Sequence, residues 1–184
     1  MSWLNTKRYT LEEFWELPEP PDHSKLELIG GVLYMTPPPG QKHDSVVARL
    51  IRFLIVFLET TQTPGTVYVP RAAIWTSPAT YLEPDLLYLS AETEAQLDDD
   101  QRNRADIVVE VISPSSAIYD RNIKANAYSV LGVKELWLID ELMKTVEVRV
   151  LVDGRFERGD LLKNDDLVTS TVLPGLEFAA RQLF

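Results

Sequence analysis

A run of β-branched residues from Ile107 to Ile112 is apolar on both faces of the strand that it predicts. Such a run is typical of a strand that is buried on both sides. Successive side chains of a strand point to opposite faces, so Glu110 shares a face with Val108 and Ile112. A carboxylate without a partner is costly in those surroundings. The pattern therefore predicts a partner for Glu110, and a metal ion is one candidate.

The segment after this strand predicts a helix and then a second strand. Pro114 ends the first strand, because proline cannot donate to a ladder of hydrogen bonds. We expect a helix over 120–131, which presents Lys124 one turn after its start, and a strand over 134–140. This order favours a right-handed crossover between parallel strands. The buried stripe predicted for the helix consists of Ile123, Ala127, Val130 and Leu131.

Two further helices are predicted closer to the N-terminus. The first covers 10–17, where Thr10 is the N-cap and Glu13 completes a capping box. The second covers 42–60 and has His43 in its first turn, a position at which histidine is usually a surface or capping residue. Its apolar face recurs at helical spacing and consists of Val46, Val47, Leu50, Ile51, Leu54, Ile55 and Leu58.

A β-hairpin is predicted over 25–35, because Gly30-Gly31 is a strong signal for a tight turn between two apolar stretches. Glu27 interrupts the first of these strands much as Glu110 interrupts the later one. The residues alone leave two interpretations open for Glu27, a solvent-facing strand position and a functional one.

The remaining patterns predict shorter strands. Pro70 interrupts the stretch 66–75, which favours an edge strand or a bulge. Asp85 opens the next strand, at a position where aspartate is commonly a turn residue. The stretch 91–104 is polar and loop-like. Further strands are expected over 145–152 and 155–158, joined by an Asp-Gly turn, and over 167–172 and 176–178.

Composition and length are those of an ordinary globular protein, with 45% hydrophobic and 25% charged residues. We find no linker that divides the chain, and so expect one α/β domain over 1–184, with a mixed sheet flanked by helices. No apolar run reaches the roughly 18 residues of a membrane span, and the N-terminus lacks the apolar core of a signal peptide. We therefore expect a cytoplasmic protein.

The chemistry of any metal site is restricted by the absence of cysteine and the presence of only two histidines. A metal must then lie mainly on carboxylates, which favours Mg²⁺ or Mn²⁺. The net charge of −10 disfavours broad electrostatic capture of nucleic acid. A small basic cleft is still compatible with an acidic protein, because the local field can differ from the net charge.

Asp85 and Glu110 lie 25 positions apart, near enough for their strands to be neighbours in a sheet. Their carboxylates would then repel each other, and a divalent cation would relieve that repulsion. Such a cation could activate a water molecule and stabilise a phosphorane-like transition state. Lys124 would supply positive charge or orient the water. The alternative for Lys124 is a simple pair with Asp120, one turn earlier.

Several motifs together resemble the large bacterial family of "putative restriction endonucleases", which is placed in the PD-(D/E)XK nuclease superfamily. The likeness runs from about Tyr9 to the C-terminus and includes the 25–31 hairpin and His43 at a helix start. Its most specific motifs are Pro84-Asp85, the block from Glu110 to Ser116, Asp120-Arg121, Lys124, Tyr128, Gly132-Val133 and the block from Leu136 to Asp140.

The resemblance implies a restriction endonuclease-like fold with a mixed central β-sheet. It implies that Asp85 and Glu110 bind the metal, with the carbonyl of Val111 as a further ligand. Glu27 would be an auxiliary acid, and His43 would be peripheral to the reaction. The usual lysine of the superfamily lies two residues after the glutamate, where this chain has an isoleucine. The resemblance implies that the lysine of this family lies on the following helix instead, which makes Lys124 the candidate.

The leading hypothesis is a Mg²⁺-dependent endonuclease that hydrolyses DNA phosphodiester bonds. The second is a non-catalytic interaction module on the same fold, forming a homo-oligomer such as a dimer, which the net charge of −10 favours. A metal-dependent hydrolase of another phosphoester is the third.

Overall fold

The structure is a computed structural model that describes residues 7–97, 101–112 and 119–184, and for 119 and 120 it describes the backbone alone. Its helices are α1 (Leu11–Trp15), α2 (Gln41–Thr61), α3 (Ala91–Glu94) and α4 (Ala125–Val130), with a π-helix (Tyr119–Lys124) before α4 and a 3₁₀ helix (Ala180–Leu183) at the end. None of the helices within these ranges has the length and apolar character needed to cross a bilayer.

The strands form three sheets in the described residues. The largest is six-stranded, in the order β10-β9-β8-β7-β6-β3, the second is four-stranded, in the order β2-β1-β5-β4, and β11 pairs with β12. The strands are β1 (Lys25–Ile29), β2 (Val32–Thr36), β3 (Gly65–Tyr68), β4 (Ile74–Thr76), β5 (Thr80–Leu82), β6 (Leu86–Ser90), β7 (Ile107–Ile112), β8 (Glu135–Asp140), β9 (Thr145–Val152), β10 (Arg155–Glu157), β11 (Leu167–Thr169) and β12 (Glu177–Ala179).

The predicted central strand is β7, and all six of its residues are buried. It pairs in parallel with β8 and antiparallel with β6, so the sheet is mixed, as predicted. Val109 packs in the core under α2, whereas Val108 packs in a second core with α4 on the opposite face. Glu110 therefore faces the α4 side, because strand side chains alternate.

The N-terminal predictions are also confirmed. Thr10 and Glu13 form the capping box of α1 through bonds of 3.1 and 3.2 Å. Gly30 and Gly31 have φ angles of +54° and +81° in the turn between β1 and β2. Only glycine adopts such angles without steric cost, so the turn residues decide where the hairpin folds back.

Two predictions in the middle of the chain are wrong. The stretch 66–75 is not one strand, because it divides at Pro70 into β3 and β4, which belong to different sheets. The stretch predicted as a loop begins with the short helix α3, since the side chain of Ser90 accepts a hydrogen bond from the amide of Thr93 and caps it.

The predicted stripe of the helix before β8 is confirmed only in part, since Ala127 and Leu131 pack against the core. Val130, however, is 85% exposed, and the fully buried residues of this segment are Lys124, Ala125 and Tyr128. The reason is the π-helix at the start of this segment, whose wider i→i+5 turn shifts the buried face relative to an α-helical pattern. Pro114, the predicted end of β7, lies outside the described residues, as does the side chain of Asp120, the alternative partner of Lys124.

The apolar face of α2 is narrower than predicted. Ile55 is 41% exposed, while the other six predicted positions are buried or packed against the core. The single domain over 1–184 stays a prediction.

Candidate active site

Asp85 lies directly before β6 and Glu110 lies on β7, so the two residues are neighbours across an antiparallel strand pair, as the spacing predicts. The amide of Asp85 donates to the carbonyl of Val109 over 3.1 Å. The amide of Val111 in turn donates to Asp85 Oδ2 over 2.8 Å. Asp85 and Glu110 are 4% and 2% exposed, so both carboxylates enter the protein interior at the same part of the sheet.

Lys124 links Glu110 to Glu27. Its Nζ lies 3.1 Å from each carboxylate oxygen of Glu110 and 3.0 Å from Glu27 Oε2. Glu27 is fully buried, so the solvent-facing interpretation of this residue is wrong. The three residues come from β1, β7 and the π-helix, which packs Lys124 back over the sheet.

Glu110 and Glu27 also accept hydrogen bonds from neutral donors. The hydroxyl of Tyr128 donates to Glu110 Oε1 over 2.5 Å. Tyr128 lies four residues after Lys124, one helical turn away, and both face the strand. The amide of Glu83 donates to Glu27 Oε1 over 3.0 Å, which ties β1 to the segment that leads into β6.

Lys25 is a site residue that the sequence interpretation missed. Its Nζ lies 3.2 Å from Asp85 Oδ1 and 3.0 Å from the carbonyl of Glu83. The available signal was the alternation of β1, because Lys25 and Glu27 lie two residues apart on the same face. The sequence contains no indication that Lys25 meets Asp85, which is 60 residues away.

His43 contacts the opposite oxygen of Asp85. Its Nε2 lies 3.0 Å from Asp85 Oδ2, and its Nδ1 lies 3.4 Å from Oδ1 of Asp44. Burial acts to lower the pKa of His43, but the hydrogen bond and charge of Asp85 outweigh burial and raise the pKa above its usual value of 6.5. The ring in the first turn of α2 is therefore part of the cluster and not a free surface group.

The charges of this cluster are closely coupled. Burial acts to lower the pKa of Lys25, yet the negative charges of Asp85, Glu110 and Glu27 raise it. Burial also acts to raise the pKa of Asp85, but His43, Lys25 and the amide of Val111 hold the pKa well below its usual range. All three acids thus interact electrostatically with Lys25, and Asp85 also interacts with His43.

Exposure differs across the cluster and indicates its open side. The side chains of Lys124 and Glu27 are 2% and 0% exposed, whereas those of Lys25 and His43 are 19% and 12% exposed. Solvent therefore reaches the cluster mainly beside Asp85.

The fit of this cluster to a metal rests on two carboxylates. The described residues contain no group of three or more histidine and acidic side chains arranged as a metal site. Mg²⁺, however, is usually held by one or two carboxylates together with water and substrate phosphates. Asp85 and Glu110 could supply oxygen ligands of that kind, because both carboxylates are buried at the same part of the sheet.

A second ion-pair network holds the helix that carries Lys124. Arg121 contacts Glu147 and Asp140, each over 3.1 Å. Arg149 contacts Glu147 over 2.7 Å and donates to the carbonyl of Arg121 over 2.8 Å. These contacts join the π-helix to β8 and β9, and so position Lys124 over β7.

Comparisons with known proteins agree with this fold. The family model of Uma2, described as "Putative restriction endonuclease", matches residues 11–181. Among curated proteins, none matches the chain significantly. The crystal structure of a protein described as a "putative nuclease" of the DUF820 family, from Anabaena variabilis, matches with a TM-score of 0.77. It is 20% identical, and the match covers 96% of this chain and 97% of that chain.

The structural match shows the fold, and the family model matches most of the sequence. The mixed sheet with helices on both faces is thus the restriction endonuclease-like architecture expected from the motifs. The chain therefore belongs to the Uma2 family, the family described as putative restriction endonucleases.

Proposed function

We propose that this chain is a divalent-metal-dependent endonuclease that hydrolyses DNA phosphodiester bonds in the cytoplasm. The observation that carries the proposal is one buried cluster in which Lys124 contacts Glu110, while Lys25 contacts Asp85 and interacts electrostatically with both Glu110 and Lys124. Buried charges drawn from distant segments are costly to assemble, and such clusters are typical of functional sites. The family match supports nuclease chemistry in particular.

The proposed roles follow from the contacts. Asp85 and Glu110 would hold Mg²⁺ or Mn²⁺, with the carbonyl of Val111 as a further ligand. When bound, such an ion polarises a phosphoryl oxygen and lowers the pKa of a coordinated water. Lys124 orients Glu110 through hydrogen bonds to both carboxylate oxygens, and its charge can also be shared with a developing negative charge.

Three other residues support the proposed ligands. His43 orients Asp85 through the bond to Oδ2, and Glu27 shares the charge of Lys124. Lys25, on the open side, is placed to bind a phosphate oxygen beside Asp85. Glu27 and His43 are thus positioning residues in this proposal.

The direct test is cleavage of supercoiled DNA with Mg²⁺, with Mn²⁺ and with a chelator. Wild-type protein should nick or linearise the DNA only with a metal, and Asp85→Asn should not. Cleavage by both proteins at equal rates would contradict the assignment. RNA and small phosphoesters in the same assay separate a DNA nuclease from a hydrolase of other phosphoesters.

A non-catalytic module is the second candidate, and one observation favours it. Each carboxylate oxygen of Asp85, Glu27 and Glu110 already has a donor or cation within 3.2 Å. A network satisfied in this way can also serve stability alone. Calorimetric titration with Mn²⁺ distinguishes the two, because a purely structural network should bind no metal at millimolar concentration. Sedimentation would then show whether the chain forms a homo-oligomer.

A further inference from the structure

An arginine-lined cleft of about 560 Å³ lies beside the helical segment that carries Lys124. None of the described residues that line it is acidic, although the whole chain has a net charge of −10. Its polar lining consists largely of Arg121, Arg149, Arg155, Arg158, Asn122 and Asn126. The cleft is therefore a local exception to the acidic character of the protein.

Two of the arginines form a fixed wall. Arg121 and Arg149 are held by Glu147, and Arg121 is also held by Asp140. These acids neutralise the two guanidinium groups but also fix their positions. The net positive charge of the cleft thus comes from the other two arginines.

Arg155 and Arg158 are exposed and free. Neither side chain forms an ion pair or hydrogen bond within the described ranges. They lie on β10 and directly after it, where this strand packs against α4. Free guanidinium groups in a concave site, with amide side chains opposite, match the bidentate geometry of phosphate oxygens.

The cleft and the acidic cluster share one helical segment. Lys124 faces Glu110, whereas its neighbours Asn122 and Ala125 line the cleft. The diameter of a helix with its side chains is about 10 Å. Duplex DNA carries a charge for about every 1.7 Å of its axis. If a DNA duplex has one phosphate at the acidic cluster, other phosphates of the same duplex are therefore far enough along it to reach the cleft on the other side of the helix.

We propose that this cleft binds the phosphate backbone of DNA through Arg155 and Arg158, away from the bond that is cleaved. This inference rests on the proposed function for its substrate class. It also explains how a protein with 28 acidic and 18 basic residues could hold a polyanion, since attraction would be confined to one concave surface. Backbone contacts position DNA without reading its sequence.

The test is binding of a fluorescently labelled DNA duplex, measured by anisotropy at several salt concentrations without added metal. The double variant Arg155→Ala/Arg158→Ala should bind at least roughly tenfold more weakly than wild type. Its salt dependence should also be shallower by about two in slope, one for each phosphate that the variant no longer neutralises. Because both side chains are exposed, its thermal unfolding should match that of the wild type.

The matched control is Arg52→Ala/Lys163→Ala, which removes the same charge from two exposed positions outside the cleft. It should bind within about twofold of wild type. Equal binding by the cleft variant and wild type overturns the proposal, as does an equal loss in the control or no binding by wild type at low salt. The experiment measures binding and not cleavage, so the two proposals can fail separately. If the protein binds DNA through these arginines but does not cut it, the nuclease proposal is wrong and the DNA-binding role of the cleft stands.

Discussion

Glu110 and Glu135 are both buried glutamates on neighbouring parallel strands, yet they have different kinds of partner. Glu110 is held by Lys124, whose charge is shared with Glu27, and by the hydroxyl of Tyr128. Glu135 lies on the opposite face, three positions earlier in the register. It accepts hydrogen bonds from neutral groups only, among the contacts seen in the described residues. These donors are Trp137, Ser170, Thr171 and Val172.

The difference separates a structural carboxylate from a candidate functional one. Backbone and hydroxyl donors around Glu135 fix the segment 170–172 against the sheet and cannot move without breaking it. A lysine carries charge on a flexible side chain, and so it can be shared among carboxylates and an incoming phosphate. Of these two buried glutamates, Glu110 is therefore the candidate for function and Glu135 the structural one.

The largest expected effect is on cleavage. Asp85→Asn removes a proposed metal ligand, and we expect a loss of about a thousandfold, equivalent to about 4 kcal/mol of activation free energy. The matched control is Asp106→Asn, a buried aspartate directly before β7 that accepts from the amide of Ser90 and the hydroxyl of Thr93 and pairs with the exposed Lys134. Activity per folded molecule should be unchanged in the control. Equal losses of activity in the two variants would show that Asp85 is no more important for cleavage than a buried aspartate outside the cluster.

The next effect is on stability. Glu135→Ala leaves the indole of Trp137 and the amide of Thr171 without their acceptor in a buried place. We expect a loss of about 3 kcal/mol in the free energy of unfolding by urea, because each unsatisfied buried group costs about 1–3 kcal/mol. A loss below about 1 kcal/mol would show that the neutral network of Glu135 is not the structural one.

A somewhat smaller change in stability is expected when a metal binds, and it should depend on Glu110 but not on Glu135. Mn²⁺ at about 100 times its dissociation constant should stabilise the wild type by about 2.7 kcal/mol, seen as a higher midpoint of thermal unfolding. Glu110→Gln should abolish the increase, whereas Glu135→Gln should retain it. An increase that survives in Glu110→Gln would place the metal elsewhere.

The smallest effect concerns acid. Burial acts to raise the pKa of Asp106, but Lys134, Ser90 and Thr93 outweigh it and lower the pKa. Because the pKa is lower in the folded state, the stabilisation is complete above the unfolded value, near 3.8, and is lost as the pH falls through the folded value. The free energy of unfolding, measured with urea, should therefore fall less for Asp106→Asn than for the wild type as the pH is lowered below about 4. Parallel acid profiles would contradict this.

Much of the fold was predictable because the signals are local. Alternation in β7 indicated which face Glu110 occupies, and the Gly30-Gly31 pair indicated the hairpin turn, where both glycines have positive φ angles. The errors arose where a local pattern competes with wider packing. Val130 was assigned to the core on α-helical spacing, but the π-helix before it turns that side chain to solvent. Pro70 indicated an interruption but not that the chain changes sheets there.

The sequence by itself determined which positions carry charge within apolar strands, and it identified Glu27, Asp85, Glu110 and Lys124 through their isolation in such patterns and through the family motifs. Only the tertiary structure decided which acid meets which cation. Lys25 meets Asp85 across 60 residues, and Arg155 lines the same cleft as Arg121. Such pairings depend on how strands and helices pack, and packing between distant segments leaves no periodic signal along the chain.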